Sequence, residues 1–270
     1  MRVEAITGLS EEQVAELTKR VTRHLGAGDL ARPGGRPCGL DLYRSIVLVV
    51  HLLRKNPTQQ VAAAFFNVSQ ATVSRRWDLL RPILAVVLDD LVEPARTRIG
   101  RYGTTLVDGT ICPTWDWKHV PHLYSAKAGY PGTNAQTACD PGGATAAIGP
   151  TPVPGARHDA LTYGASGPKD MHAGLHTQAD LGYVGADGID LIPIKRRPGQ
   201  AELDPHDVPF NIAPAAIRAT VERAAAHMKT WRILSEEAGR FRPPLEKFTE
   251  TLAAITGLLN LRRSFNPTFE

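Results

Sequence analysis

Three acidic residues stand where the chain lets them meet. Asp108, in "LVDGT", ends a β-prone run and precedes Gly109. Asp180, in "HTQADLGY", sits likewise at the end of a short run. Glu222 lies in "IRATVERAAAHMKTW", where Ile217, Val221, Ala224, Met228 and Trp231 recur at helical spacing. Two carboxylates on sheet strands and a third on a helix packed against that sheet can converge on one or two Mg²⁺ or Mn²⁺ ions, which favour hard oxygen ligands. Such a centre suits phosphodiester cleavage, because paired ions activate the attacking oxygen and stabilise the leaving one.

Each carboxylate also has a plainer reading. Asp-Gly is a strong hairpin signal, so Asp108 can be a turn former, and Asp180 can cap the turn into "LGY". Arg218 and Glu222, four apart, can form an ordinary surface pair. His158 and Asp159, in "RHDA", compete for the second acidic position. His119, His122 and His158 raise zinc, but no H-x-x-x-H or comparable ligand spacing accompanies them.

The elements that must position these residues change character along the chain. Ser10 is placed to cap a helix over residues 10–25, and "LDLYRSIVLVVHLLRK" reads as a buried helix ending before Asn56 and Pro57. Residues 58–81 carry the punctuation of a helix-turn-helix. Thr58 caps a short helix, Ala63 permits a close crossing, Asn67 takes the left-handed position and Ser69 caps a second helix. Val73, Trp77 and Leu80 then face inward. Gln70, Thr72, Ser74, Arg75 and Arg76 share the other faces, where they can reach base edges or phosphates. A plain helical hairpin gives the same pattern.

A further helix is expected over roughly 82–93, and "EPARTRIGRYG" then breaks the pattern. The domain boundary falls there, giving a helical domain over 1–98 and a second domain over 99–270. Beyond it, β-prone runs ("TTLVDG", "ICPTWDW", "NAQTACD", "ATAAIGP", "HTQADLGY", "IDLIPIKR") precede the Glu222 helix and a last apolar helix over roughly 244–262. Strands followed by helices describe an α+β or mixed α/β fold.

The chain of 270 residues, 43% hydrophobic, supports real cores. No stretch has the length and apolarity of a membrane span, and the polar start lacks the apolar run of a signal peptide, so a cytoplasmic location is expected. Cys38, Cys112 and Cys139 are odd in number and form no C-x-x-C pair, which argues against a disulfide framework or a thiolate zinc site. Residues 1–100 hold 14 Lys/Arg against 10 Asp/Glu, and residues 101–270 hold 17 against 17. All of the net +4 therefore lies in the first hundred residues, the better candidate for a polyanion contact.

Over roughly residues 36–265 the sequence resembles the D-D-E transposases of bacterial insertion sequences, especially the Harbinger-related D-D-E endonucleases. The landmarks, in order, are "LVDGT", "YSAKAGYPGTNAQ", "VPGARHDA", "ADLGY" and "RATVERAAAHMKTWR". Asp180, Gly182 and Tyr183 match that family's Asp-x-Gly-Tyr block. Arg218, Glu222 and Lys229 keep the spacing of its Arg-x3-Glu-x6-Lys motif, although Ala215 and Leu181 replace the family's frequent Tyr and Lys.

The resemblance implies an RNase H-like catalytic domain behind the helix-turn-helix domain. Asp108, Asp180 and Glu222 would be the catalytic metal ligands, on two Mg²⁺ (or Mn²⁺) ions. Lys127, Arg218 and Lys229 would contact DNA. The implied activity is a DNA transposase that binds terminal inverted repeats, hydrolyses the ends without a covalent enzyme–DNA intermediate and transfers the 3′-hydroxyls to target DNA. It implies double-stranded DNA as partner, a homodimer or larger assembly on it, no membrane and a place in the bacterial nucleoid. The alternatives are a non-catalytic DNA-binding regulator and a metal-dependent nuclease without strand transfer. In either case His158 and Asp159 are read as near the active site, in a structural or DNA-contacting role.

Overall fold

The computed structural model describes residues 2–26, 39–115, 123–148, 153–155, 157–165, 174–236 and 240–265. Six helices come first: α1 (Val3–Thr7), α2 (Glu11–Leu25), α3 (Leu42–Lys55), α4 (Gln59–Phe66), α5 (Gln70–Val87) and α6 (Glu93–Tyr102). Their starts follow the capping residues. Ser10 Oγ accepts from the Gln13 N–H while Gln13 Oε1 accepts from the Ser10 N–H, a complete capping box. Thr58 and Ser69 cap α4 and α5 through the amides of Val61 and Thr72, and Asn67 takes the left-handed turn at φ 54°. Val73, Trp77 and Leu80 are buried, as their spacing requires.

Two expectations fail in this region, both at a proline. Pro82 does not start a new helix, because α5 runs through it to Val87. Leu80 and Leu84, one turn apart across the proline, are fully buried. Arg81 donates to Glu250 Oε2 at 2.6 Å and Lys247 Nζ to Asp78 Oδ1 at 2.5 Å. Packing and ion pairs outweigh the hydrogen bond a mid-helix proline forfeits. "EPARTRIGRYG", expected to break the pattern, is α6: Pro94 falls in its first turn, where no N–H is needed, and Gly103 ends it at φ 62°.

The strands that follow are β1 (Thr104–Pro113), β2 (Tyr124–Ser125), β3 (Tyr130–Cys139), β4 (Thr145–Ile148), β5 (Val153–Pro154) and, after α7 (Asp159–Ala165), β6 (His176–Gln178). They form one mixed sheet in the order β2-β3-β1-β6, with β4 and β5 also paired to β3. "TTLVDG" and the start of "ICPTWDW" are one continuous strand. Asp108 is therefore mid-strand, opposite Thr137, with Gly109 opposite Gln136. The hairpin reading of Asp-Gly is excluded. "IDLIPIKR" contributes only an isolated bridge between Leu191 and Gln178.

Two long helices close the chain, α8 (Asp207–Lys229), which begins ten residues ahead of Ile217, and α9 (Phe248–Phe265). One hydrophobic core joins α1–α5 to Met228, Trp231, Ile233, Phe241 and the buried face of α9. Helices from both sides of residue 98 share that core. Smaller clusters fill the two faces of the sheet. Among the described residues, no helix is long and apolar enough to cross a membrane.

Candidate active site

Side-chain alternation along β1 sends its residues to two different helices. Leu106, paired with Cys139, packs against Val221 and Ala224 of α8. Asp108, two positions on, shares that face and so lies on the side of Glu222, which is exposed on α8 between those two buried residues. Val107, paired with Ala138, packs on the opposite face against Tyr163 of α7 and Tyr183.

Asp180 reaches the same place by another route. β6 runs parallel to β1, and the pairing stops at Leu106 with Gln178. Continued by two residues, that register would set Asp180 beside Asp108. There the backbone turns instead: Asp180 Oδ1 accepts from the Gly182 N–H at 2.7 Å and caps a 3-10 turn over Leu181–Tyr183. Capping and a place in the site are thus compatible, because a carboxylate has a second oxygen.

The electrostatics report the convergence. Burial, and then the charges of Asp180, Asp159 and Glu222, push the Asp108 carboxyl up to about 6, against a smaller opposing hydrogen bond from the Gly109 N–H. Four carboxylates from β1, α7, the turn after β6 and α8 thus act on one another. All offer the hard oxygens that Mg²⁺ and Mn²⁺ favour, and like charges held together are what a divalent cation offsets. In donor chemistry they fit such an ion. Among the described residues, no three Asp, Glu, His or Cys side chains stand close enough to hold one ion.

The other expected residues are spread over two surfaces. On α5, Gln70 and Arg75 are exposed, while Thr72, Ser74 and Arg76 are half-buried. Gln70 Nε2 donates to Gln59 Oε1 at 2.5 Å, which ties α5 back to α4. Ser74 lines a cleft of about 370 Å³ between the helix-turn-helix and Arg242, Pro244 and Lys247. Lys127 is exposed in the turn between β2 and β3. Lys229 is exposed at the end of α8, near enough to β1 for its charge to oppose the burial that pushes the Cys112 thiol up to about 12. The side chain of Arg218 lies outside the described residues, as do His119, His122 and Cys38. His158 is exposed, and its carbonyl accepts from Thr162 within α7.

Sequence reasoning missed the part of β3 that supports Asp159. Asn134 Nδ2 donates to Asp159 Oδ1 at 2.8 Å, Gln136 Nε2 donates to Asn134 Oδ1 at 3.0 Å, and Tyr183 Oη donates to Gln136 Oε1 at 2.5 Å. Burial and the charges of Asp159, Asp108 and Asp180 raise the Tyr183 phenol well above its ordinary value, which keeps the donor proton in place. The available signal was two amides two residues apart in a strand, a spacing that puts both on one face.

Comparison with known proteins agrees with this layout. Residues 107–260 match the family described as DDE superfamily endonuclease, and residues 43–90 match the helix-turn-helix of DDE superfamily endonuclease. The chain is 34% identical over 230 residues, 85% of its length and 84% of the relative's, to a protein of Streptomyces albus G named as a candidate transposase for insertion sequence element IS112. No solved structure matches the chain significantly. With both segments matched in order and the acidic residues gathered inside the longer one, the chain belongs to the DDE superfamily endonucleases of the transposase type.

Proposed function

We propose that this protein is the transposase of a bacterial insertion sequence, of the Harbinger-related group. Its helical domain (1–98) reads the terminal inverted repeats, and an RNase H-like domain (99–270) cuts and joins DNA. The observation that carries this reading is that Asp108, Asp180 and Glu222, from three separated segments, come near enough for their charges, after burial and together with Asp159, to help lift the Asp108 carboxyl to about 6. A structural acid gains nothing from that arrangement, whereas a carboxyl raised by burial and by neighbouring charges is a candidate functional group.

Asp108, Asp180 and Glu222 are the residues that would hold Mg²⁺ or Mn²⁺, two ions in this reading. When bound, such ions stabilise charge on the attacking and leaving oxygens of an in-line displacement at phosphorus. The chain supplies the frame. β1 fixes Asp108, the 3-10 turn fixes Asp180 and α8 carries Glu222 with Lys229 two turns further on; Lys127, Arg218 and Lys229 would contact DNA phosphates. Gln70, Thr72, Ser74, Arg75 and Arg76 belong to the recognition surface of α5. In cutting, water displaces one DNA oxygen from phosphorus and leaves a 3′-hydroxyl. In joining, that hydroxyl makes the new O–P bond and a target-strand oxygen leaves. Both ends must be held at once, so the working form is a dimer or larger assembly on nucleoid DNA in the cytoplasm.

The test is Mg²⁺- or Mn²⁺-dependent cleavage of DNA carrying the inverted repeats that flank the gene, with the full chain. Asp108→Asn and Glu222→Gln should each lower cleavage by more than about 100-fold, the upper figure for losing a mere supporting partner of a metal ligand. Binding of the ends should survive both. Binding without cleavage by the wild type would favour the regulator, and cleavage without joining the simple nuclease.

A further inference from the structure

Beyond its recognition turns, α5 carries a seam that its own core does not use. Val73, Trp77, Leu80, Arg81 and Leu84 form its buried side. On the side turned away from that core, Thr72, Arg76, Leu79, Ile83 and Val86 recur at alternating spacings of four and three. That is the period at which one helix presents a continuous stripe to another. Leu79 is 40% exposed and Val86 61%, with Ile83 half-buried between them. Large apolar side chains exposed in a row, rather than scattered singly, mark a surface that something else covers.

Charge is segregated along the same stripe. Arg75 and Arg76 precede Leu79, whereas Asp89, Asp90 and Glu93 follow Val86 and are all exposed. Asp90 also accepts from Arg20 Nη1 at 2.5 Å. Acids at this end repel a DNA backbone, so the later half of the stripe is unsuited to the duplex that the first turns of α5 would read. A second α5 running the other way suits it throughout. A two-fold axis crossing the helix between Pro82 and Ile83 has Leu79 and Val86 equally far on either side, and likewise Arg76 and Asp89, and Arg75 and Asp90. Antiparallel pairing therefore sets leucine against valine and each arginine against an aspartate, the self-complementarity that an isologous contact demands. Parallel pairing would set like charges together.

We infer that this face of α5 is the contact between two copies of the chain, packed antiparallel through Leu79, Ile83 and Val86 and flanked by ion pairs between Arg76 of one copy and Asp89 of the other. That the copies pair in order to hold two DNA ends rests on the transposase reading above. The contact itself is read from α5 and its flanking charges alone. Antiparallel packing points the two helix N-termini away from each other, so Gln70 and Thr72 of each copy stay open to a duplex of their own. Arg76 stands where the recognition surface and the contact between copies adjoin.

The test is sedimentation velocity of the full chain without DNA over a range of concentrations. It compares the wild type, Leu79→Glu, Val86→Glu, Arg76→Asp and the double variant Arg76→Asp/Asp89→Arg. Melting of dilute protein reports folding separately, and because Leu79 and Val86 are exposed, their variants should melt as the wild type does. The wild type should pass from monomer to dimer as concentration rises. Leu79→Glu and Val86→Glu should each weaken dimerisation at least about 10-fold, because each buries a charge in both halves of the contact. Arg76→Asp should weaken it too, and the double variant should restore it by reversing both ion pairs. A wild type that stays monomeric at every concentration would overturn the contact. So would a dimer that Leu79→Glu and Val86→Glu leave intact, since another surface must then form it. Metal-dependent cleavage of the inverted repeats is followed alongside: a dimer of this design without cleavage would count against the transposase reading and leave the contact standing.

Discussion

In the helix-turn-helix, polar side chains serve their own neighbourhood. Thr58 and Ser69 satisfy amides three residues on, and the apolar residues between them fall on one buried face. In the acidic centre the polar side chains work against theirs. Asp108 is held half-buried beside three other carboxylates, and its ionised form is disfavoured by every one of them. The helical layer therefore accumulates stability that the sheet's acidic end draws down. The two meet in one continuous core through Met228, Trp231 and α9, so stability made in one region is available to the other. Damage to the helical layer should weaken the whole molecule, and neutralising the acidic end should strengthen it while abolishing cleavage.

The largest effect expected is at the joint. Trp231 is fully buried just beyond α8, with the Arg54 guanidinium 5.4 Å from its ring centroid. Trp231→Ala should cost about 3–5 kcal/mol of stability, the usual range for truncating a buried Trp. Urea unfolding followed by circular dichroism should show one transition moved as a whole. Two transitions, only one of them moved, would mean that the regions do not share stability and would break the comparison.

Next in size is the electrostatic burden itself. The Asp108 carboxyl titrates at about 6 in the folded chain against 3.8 as its ordinary value, so the folded state holds the proton more tightly. The stability this contributes is complete below pH 3.8 and is lost as pH rises through about 6. By linkage the loss approaches about 3 kcal/mol at neutral pH. In EDTA the wild type should melt lower at pH 7 than at pH 5. Asp108→Asn should flatten that dependence and melt higher than the wild type at pH 7. A wild-type melting temperature that does not fall between pH 5 and pH 7 would show that the carboxylates do not burden the fold.

What could be read in the sequence follows the same division. Ser10, Thr58, Asn67 and Ser69 were legible because a cap answers to the next three or four residues. Pro82 misled because its cost is offset by α9, nearly 170 residues away along the chain. The setting of Asp108 was misread as a strand end or turn, since whether Asp-Gly turns or continues as strand depends on the partner strand. The convergence of Asp180 and Glu222 on it came from the order of landmarks. Asn134 and Gln136 stayed hidden, because in a strand buried throughout, alternation no longer separates a polar face from an apolar one.

The smallest effect separates the two ways α5 can meet DNA. Arg75 is exposed, between the buried Val73 and Trp77, so Ala there should leave the fold intact. On a recognition helix its guanidinium contacts either a phosphate or a base edge, and anisotropy titrations at several salt concentrations distinguish these. Loss of a phosphate contact lowers affinity for every duplex and reduces the slope of log K against log salt by about 0.9. Loss of a base contact weakens the inverted repeat selectively, by about 1–3 kcal/mol. Asp108→Asn, measured alongside, should bind the ends as the wild type does, because its charge belongs to the other region. Unchanged binding by Arg75→Ala at every salt concentration would remove Arg75 from the recognition surface, and with it the main reason to assign that surface to α5.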